Sequence, residues 1–157
     1  MSKYHPEFVT VTCLNWVPVL AQKVHKEIVI NSLRFLVKEN RITVSGFVLM
    51  DTHFHLIWQV MGEHKREDVQ RDFLKFTSQQ ILMHLRNNNS PLLNELQVEA
   101  KDRKFQVWER NSLSVELYSD KVAQKLEYIH QNPVEAGLCS LPEDYDIQVP
   151  DSMRRMS

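Results

Sequence analysis

Ile42-Thr-Val-Ser-Gly-Phe-Val-Leu-Met50, the link Asp51-Thr52, and His53-Phe-His-Leu-Ile-Trp-Gln-Val60 form the stretch that decides the fold. Two apolar runs rich in β-branched and aromatic residues flank a two-residue link. Each run has strand length, and so short a link joins antiparallel neighbours. In the first run Val44 and Val48 fall on one face and Phe47 and Leu49 on the other, which predicts a central strand covered on both sides. Helical patterns bracket the hairpin. Leu20, Val24, Ile28, Leu33 and Leu36 recur at helical steps and predict a helix within residues 19–38, stopped at Asn40. On the other side, residues 63–86 predict a second long helix with Val69, Phe73, Phe76 and Ile81 inward. Asn87-Asn-Asn-Ser-Pro91 breaks it.

Further out, Phe8-Val-Thr-Val-Thr-Cys-Leu14 alternates and reads as a first strand. Residues 92–104 suit a short helix and a loop, and residues 105–110 and 113–117 are extended. A third helix is predicted over residues 120–131, capped by Ser119 or Asp120 and ended by Asn132-Pro133. The order β-α-β-β-α-β-α defines an α+β class. It is a ferredoxin-like split βαβ antiparallel sheet with an additional C-terminal helix. Two helices cover one face, and the other is left to the last helix or a ligand.

The chain has 157 residues, 43% hydrophobic and 25% charged, which is one globular domain's worth and excludes a disordered tail or a fibrous repeat. Cys13 and Cys139 are too few for a disulfide framework, and a reducing compartment is expected. No apolar run approaches the roughly 20 residues of a membrane span, and the N-terminus lacks a signal-peptide layout. A cytoplasmic location is the default expectation, with no membrane partner. A net charge of −1 argues against a strong non-specific binder of duplex DNA and leaves a local basic groove open.

His53 and His55 are two apart on a predicted strand, so both imidazoles project from one face. Such a pair can share a divalent metal, or can be two polar residues on a half-exposed strand. On the last predicted helix, Val122, Leu126 and Ile129 form a core stripe. Tyr128 and Asn132 lie one turn apart on its flank, together with Lys121 and Lys125, while His130 lies on the opposite flank. Taken singly, Tyr128 suits a core edge, Asn132 a helix stop, and the two lysines a solvated face. Trp58, Trp108 and Phe76 suit core positions or base stacking. Lys65, Arg66, Arg71, Lys75, Lys101, Arg103 and Lys104 could line a phosphate path or form solvated faces.

Phe47-Val-Leu-Met-Asp-Thr-His-Phe-His-Leu-Ile57 resembles the His-hydrophobic-His segment of the single-tyrosine HUH transposases. That family includes the REP-associated tyrosine transposases. Tyr128-Ile-His-Gln-Asn-Pro-Val-Glu-Ala-Gly-Leu138 resembles the family's tyrosine helix and following turn. Asp72-Phe-Leu-Lys-Phe-Thr-Ser-Gln-Gln-Ile81 and Val107-Trp-Glu-Arg110 are similar to the REP-associated branch. The resemblance covers roughly residues 4–141, so a transposase-like domain over 1–141 and a surface tail over 142–157 are expected.

The resemblance implies a metal-dependent endonuclease/transposase acting on single-stranded DNA. It assigns His53, His55 and Asn132 as ligands of Mg²⁺ or Mn²⁺ and Tyr128 as the nucleophile. The product is a 5′-phosphotyrosine and a free 3′ hydroxyl. Lys121, Lys125, Lys65, Arg66, Arg71 and Lys75 are the expected DNA contacts, and a hairpin is the expected target. A homodimer stays open, as does an inactive module of the same fold that binds single strands. The chain departs from the family pattern at Thr52, where relatives often carry Asn, in its weaker basicity, and at Asp144-Tyr-Asp-Ile-Gln-Val-Pro150.

Overall fold

A computed structural model describes residues 4–135. Strands β1 (Glu7–Thr12), β2 (Ile42–Leu49), β3 (His53–Val60) and β4 (Leu113–Glu116) form one antiparallel sheet in the order β2-β3-β1-β4. The helices are α1 (Lys23–Lys38), α2 (Arg66–Asn87), the short α3 (Leu92–Glu95) and α4 (Ser119–Glu135). This is the expected ferredoxin-like arrangement. No helix among the described residues is long and apolar enough to cross a membrane. The expected tail over 142–157, its boundary at 141 and Cys139 lie outside the described residues.

Strand alternation sorts the side chains into two cores. Val9 and Val11 of β1 and Phe54, Leu56, Trp58 and Val60 of β3 face the larger core, beneath α1 and α2. There they meet Val29, Leu33, Phe73 and Ile81. Phe8, Val48, Met50 and Ile57 face the other way, onto Leu117 and Ile129, with Val122 and Leu126 packed alongside. The stripe expected on the last helix is therefore the one that docks, and α4 closes the second face.

The structure corrects several expectations. β2 is an edge strand, not a central one, although it is covered on both sides by α1 and α4. Its alternation also slips: a bulge between Val44 and Gly46 adds one residue, so Val44 joins Phe47 and Leu49 in the larger core while Val48 faces α4. Phe76 and Val24 are exposed rather than inward, and their polar neighbours Thr77 and His25 are buried instead. Hydrogen bonds offset the burial of Thr77: its hydroxyl donates to the Phe73 and Leu74 carbonyls and accepts from Trp108 Nε1–H. α4 runs on through Asn132-Pro133 to Glu135. A proline's fixed φ is itself helical, so the helix continues through it at the cost of one backbone hydrogen bond and of crowding between its ring and the preceding turn.

Residues 13–21 clamp the Asp51-Thr52 turn that leads into β3. Cys13 N–H donates to the Thr52 carbonyl (2.9 Å) and Leu20 N–H to the Asp51 carbonyl (3.0 Å). His25 fastens this clamp to the helices. With Nδ1–H donating to the Val19 carbonyl (2.7 Å), its Nε2 is left as an acceptor for His84 Nδ1–H (2.9 Å). Burial holds the His25 imidazole below its ordinary 6.5; the Val19 carbonyl opposes that shift and His84 reinforces it.

Two predictions follow from this packing. The unfolded state takes up the His25 proton more readily than the folded state, so His25 contributes stability above pH 6.5 that is lost as pH falls below it. The unfolding midpoint should fall from pH 7.5 toward pH 5.5, and His25→Leu should be less stable at neutral pH yet show a shallower pH slope; an unchanged slope contradicts this. Ile129→Ala should cost about 2–4 kcal/mol and raise hydrogen exchange in α4 while β1 and β3 stay protected. Uniform loss of protection would contradict independent seating of α4.

Candidate active site

His53 and His55 leave β3 on the face that α4 covers, with ring centroids 5.0 Å apart. Antiparallel pairing puts Thr12 opposite His53 and Thr10 opposite His55. His55 Nδ1 shares a 2.9 Å hydrogen bond with the Thr10 hydroxyl. His53 Nδ1 shares one of 3.2 Å with the hydroxyl of Thr52, in the turn before β3. Each ring thus engages Nδ1 and has Nε2 left for a ligand. Phe8 stacks on His55, with centroids 5.2 Å apart and planes 19° apart.

Burial pushes His55 down to about 4, and the charges of His53 and Lys125 act in the same direction. His53 is also held below its ordinary value by burial. Burial thus favours the neutral form of both imidazoles, the form that offers a lone pair to a metal.

α4 brings in Tyr128. Its ring centroid lies 5.4 Å from that of His55 and 5.9 Å from that of Phe8, and the side chain is 43% exposed. The ring is anchored on one side and open on the other. Lys125 Nζ lies 4.8 Å from the Phe8 ring centre and 5.6 Å from that of Tyr128. Lys121 is exposed one turn earlier on the same helix. Asn132 lies on α4 one turn after Tyr128; its side chain is outside the described ones. No group of three or more His, Cys, Asp or Glu able to hold a metal occurs among the described residues, and the expected set of two imidazoles and an amide would not form one.

The basic residues of α2 are not brought to this group, because the sheet lies between them. Arg66 pairs with Glu7 (3.4 Å) and Glu116 (3.2 Å), and Arg71 with Asp68 (3.2 Å) and Asp72 (3.5 Å). Lys65 and Lys75 are exposed on that layer, as are Lys101, Lys104 and Arg103, the last paired with Asp102. Trp58 and Trp108 are core residues, while Phe76 is exposed on α2.

Sequence reasoning missed Thr10, Phe8 and Trp16. Thr10 and Phe8 share a face of β1 by alternation, but only the pairing register shows that this face meets His55. Trp16 sits in an irregular turn without periodicity, and its ring lies 5.8 Å from that of His53.

A ferredoxin-like α+β domain that carries an imidazole pair and a tyrosine helix on one face of its sheet is the class these features define. Among solved structures the chain is similar to a REP-associated tyrosine transposase bound to a REP hairpin. The TM-score is 0.66 at 15% identity, over 94% of this chain and 82% of that one. It is also similar to a candidate transposase from Deinococcus radiodurans R1, with a TM-score of 0.55 at 13% identity over 80% of this chain and 88% of that one. At these identities the likeness establishes the shared fold, and it agrees with the family resemblance read from the sequence. No protein-family model matches the chain, and no curated protein matches it.

Thr10→Val keeps the shape and removes the hydroxyl from His55. It should cost about 1–3 kcal/mol of stability, since a ring nitrogen is left buried without its partner. The fixed tautomer of His55 should also be lost in ¹⁵N NMR spectra. Unchanged stability together with an unchanged tautomer would show that the hydroxyl does not orient the ring.

Proposed function

We propose that the protein is a metal-dependent, single-tyrosine DNA transposase/endonuclease that cleaves and rejoins single-stranded DNA beside a hairpin. The observation that carries this reading is the seating of Tyr128 against His55, more than seventy positions away in the chain. The solved neighbour bound to a REP hairpin supports a DNA partner of that kind.

Tyr128 Oη attacks the phosphorus of a phosphodiester as its phenolic proton leaves to solvent. The new bond joins Oη to phosphorus, the P–O3′ bond breaks, and the departing 3′ oxygen takes up a proton. The product is a 5′-phosphotyrosine, which retains the ester bond and allows a second 3′ hydroxyl to reverse the step and rejoin the strand. His53 and His55 would hold the metal through Nε2, with Thr52 and Thr10 orienting the rings and Asn132 as the third ligand. The bound ion would polarise the phosphate and offset charge that builds on it. An imidazole pair favours Mn²⁺ over Mg²⁺, which prefers oxygen ligands. Lys125, beside the tyrosine ring, offers a positive charge to the strand, and Lys121 extends that flank. Tyr128 lies beside His55 within one chain, which supports cleavage by a single protomer.

A second reading is a module of the same fold that binds single strands without cutting. The net charge of −1 and the acids that engage Arg66 and Arg71 favour it. Denaturing gels of the protein with labelled single-stranded DNA hairpins separate the two. With Mn²⁺ a covalent adduct should form, and EDTA should abolish it. Tyr128→Phe should lose the adduct and keep hairpin affinity. An adduct that persists in Tyr128→Phe overturns the nucleophile assignment. Binding without an adduct in either Mg²⁺ or Mn²⁺ establishes the second reading.

A further inference from the structure

Trp16 occupies a backbone conformation that suits it badly. Its φ is +58°, next to Asn15 at +51°. Every other described residue with positive φ is Asn or Gly: Asn40, Gly62, Asn89 and Asn111. These types tolerate the left-handed region, whereas a bulky side chain there crowds its own backbone. The strain is held in place from both sides. Leu14 and Val17 are buried, Leu14 N–H donates to the Val107 carbonyl (2.7 Å), and Asn15 N–H donates to Glu109 Oε1 (2.7 Å). The result is an indole left 62% exposed, while the other two tryptophans, Trp58 and Trp108, are buried.

The position of that indole is informative. Trp16 follows the end of β1, where Thr12 pairs with His53, and its ring meets His53 edge-on. Tyr128 meets His55 and Phe8, and Phe8 pairs with Ile57, further along β3. Along β3 the order is therefore Trp16, His53, His55, Tyr128. In an in-line displacement the leaving oxygen departs opposite the nucleophile. With Tyr128 at one end of the row, the nucleotide that keeps the 3′ oxygen points to the other end.

We infer that Trp16 stacks on the base of the nucleotide immediately 5′ of the cleaved phosphate, an inference that rests on the cleavage reading above. An exposed indole suits this role because every base presents a π-face, so stacking holds the strand with little demand on its sequence. Strained residues cluster where function holds them, and here the strain lifts the ring out of the core into the path of the strand. Trp16 thus positions the leaving side, as Tyr128 and Lys125 engage the side that becomes covalently held.

The test uses the full chain, DNA hairpins with unpaired flanks, and EDTA so that binding is read without cleavage. DNA should quench tryptophan fluorescence, chiefly that of the exposed Trp16. Trp16→Asn should bind about five- to 150-fold more weakly, the fold-change expected for one lost base–aromatic stack, and Trp16→Phe should retain most of the affinity. Asn suits the left-handed backbone, so the unfolding midpoint of Trp16→Asn should stay level or rise. An abasic site 5′ of the junction mapped by the adduct should weaken wild-type binding and add little to Trp16→Asn. Wild-type affinity in Trp16→Asn, or abasic sensitivity confined to the 3′ side, overturns the inference and leaves the cleavage reading standing. Trp16-dependent binding with no adduct in Mn²⁺ overturns the cleavage reading, and with it the 5′ placement.

Discussion

The docking of α4 on the second face of the sheet is the contact on which the rest depends. Ile129 and Leu117, flanked by Val122 and Leu126, bury against Phe8, Val48, Met50 and Ile57. Burial of this kind is non-directional, yet it fixes the rotation of the helix. With Ile129 turned to the sheet, the preceding residue, Tyr128, falls at the edge of the contact, over His55. The hydrophobic stripe and the phenol are thus parts of one amphipathic design. Weakening the stripe would misplace the phenol before it unfolded the domain, because the larger core beneath α1 and α2 is built from other residues.

A second constraint is the neutral state of the imidazole pair. With centroids 5.0 Å apart on one strand face, a charge on either ring disfavours a charge on the other. Desolvation keeps them uncharged, and threonine hydroxyls on β1 and in the turn before β3 set which nitrogen points outward. Lys125 adds a positive charge beside them. A neutral, oriented pair next to a fixed ammonium suits an anionic strand, and it does so without a basic surface over the whole molecule.

Much of this was legible in the sequence. The His53–Val60 strand begins and ends where alternation put it, and the element order alone pointed to the ferredoxin-like sheet. The face shared by His53 and His55 and the flank carrying Lys125 and Tyr128 follow from two periodicities, two residues for a strand and 3.6 for a helix. Other features were hidden for physical reasons. The bulge at Val44 and Gly46 flips a strand's faces and leaves no trace in hydropathy. At Val24-His25 and Phe76-Thr77 the apolar residue lies outside and the polar one inside, because hydrogen bonds offset the burial of His25 and Thr77; periodicity counts apolarity and cannot see those partners. Thr10 and Phe8 join the site through the pairing register. Trp16 joins it through a left-handed turn that no residue type announces. The ion pairs of Arg66 and Arg71, which tie up charge expected to meet DNA, are likewise tertiary.

The central claim is that a metal held by His53 and His55 lies beside the Tyr128 ring in solution. Manganese is paramagnetic and broadens nearby NMR signals steeply with proximity. Titrating Mn²⁺ into protein with ¹³C-labelled tyrosine rings should therefore broaden the Tyr128 resonances at the lowest metal additions, and His55→Ala should remove that effect. Tyr128 resonances that stay as sharp as those of the other tyrosines throughout the titration would contradict the account.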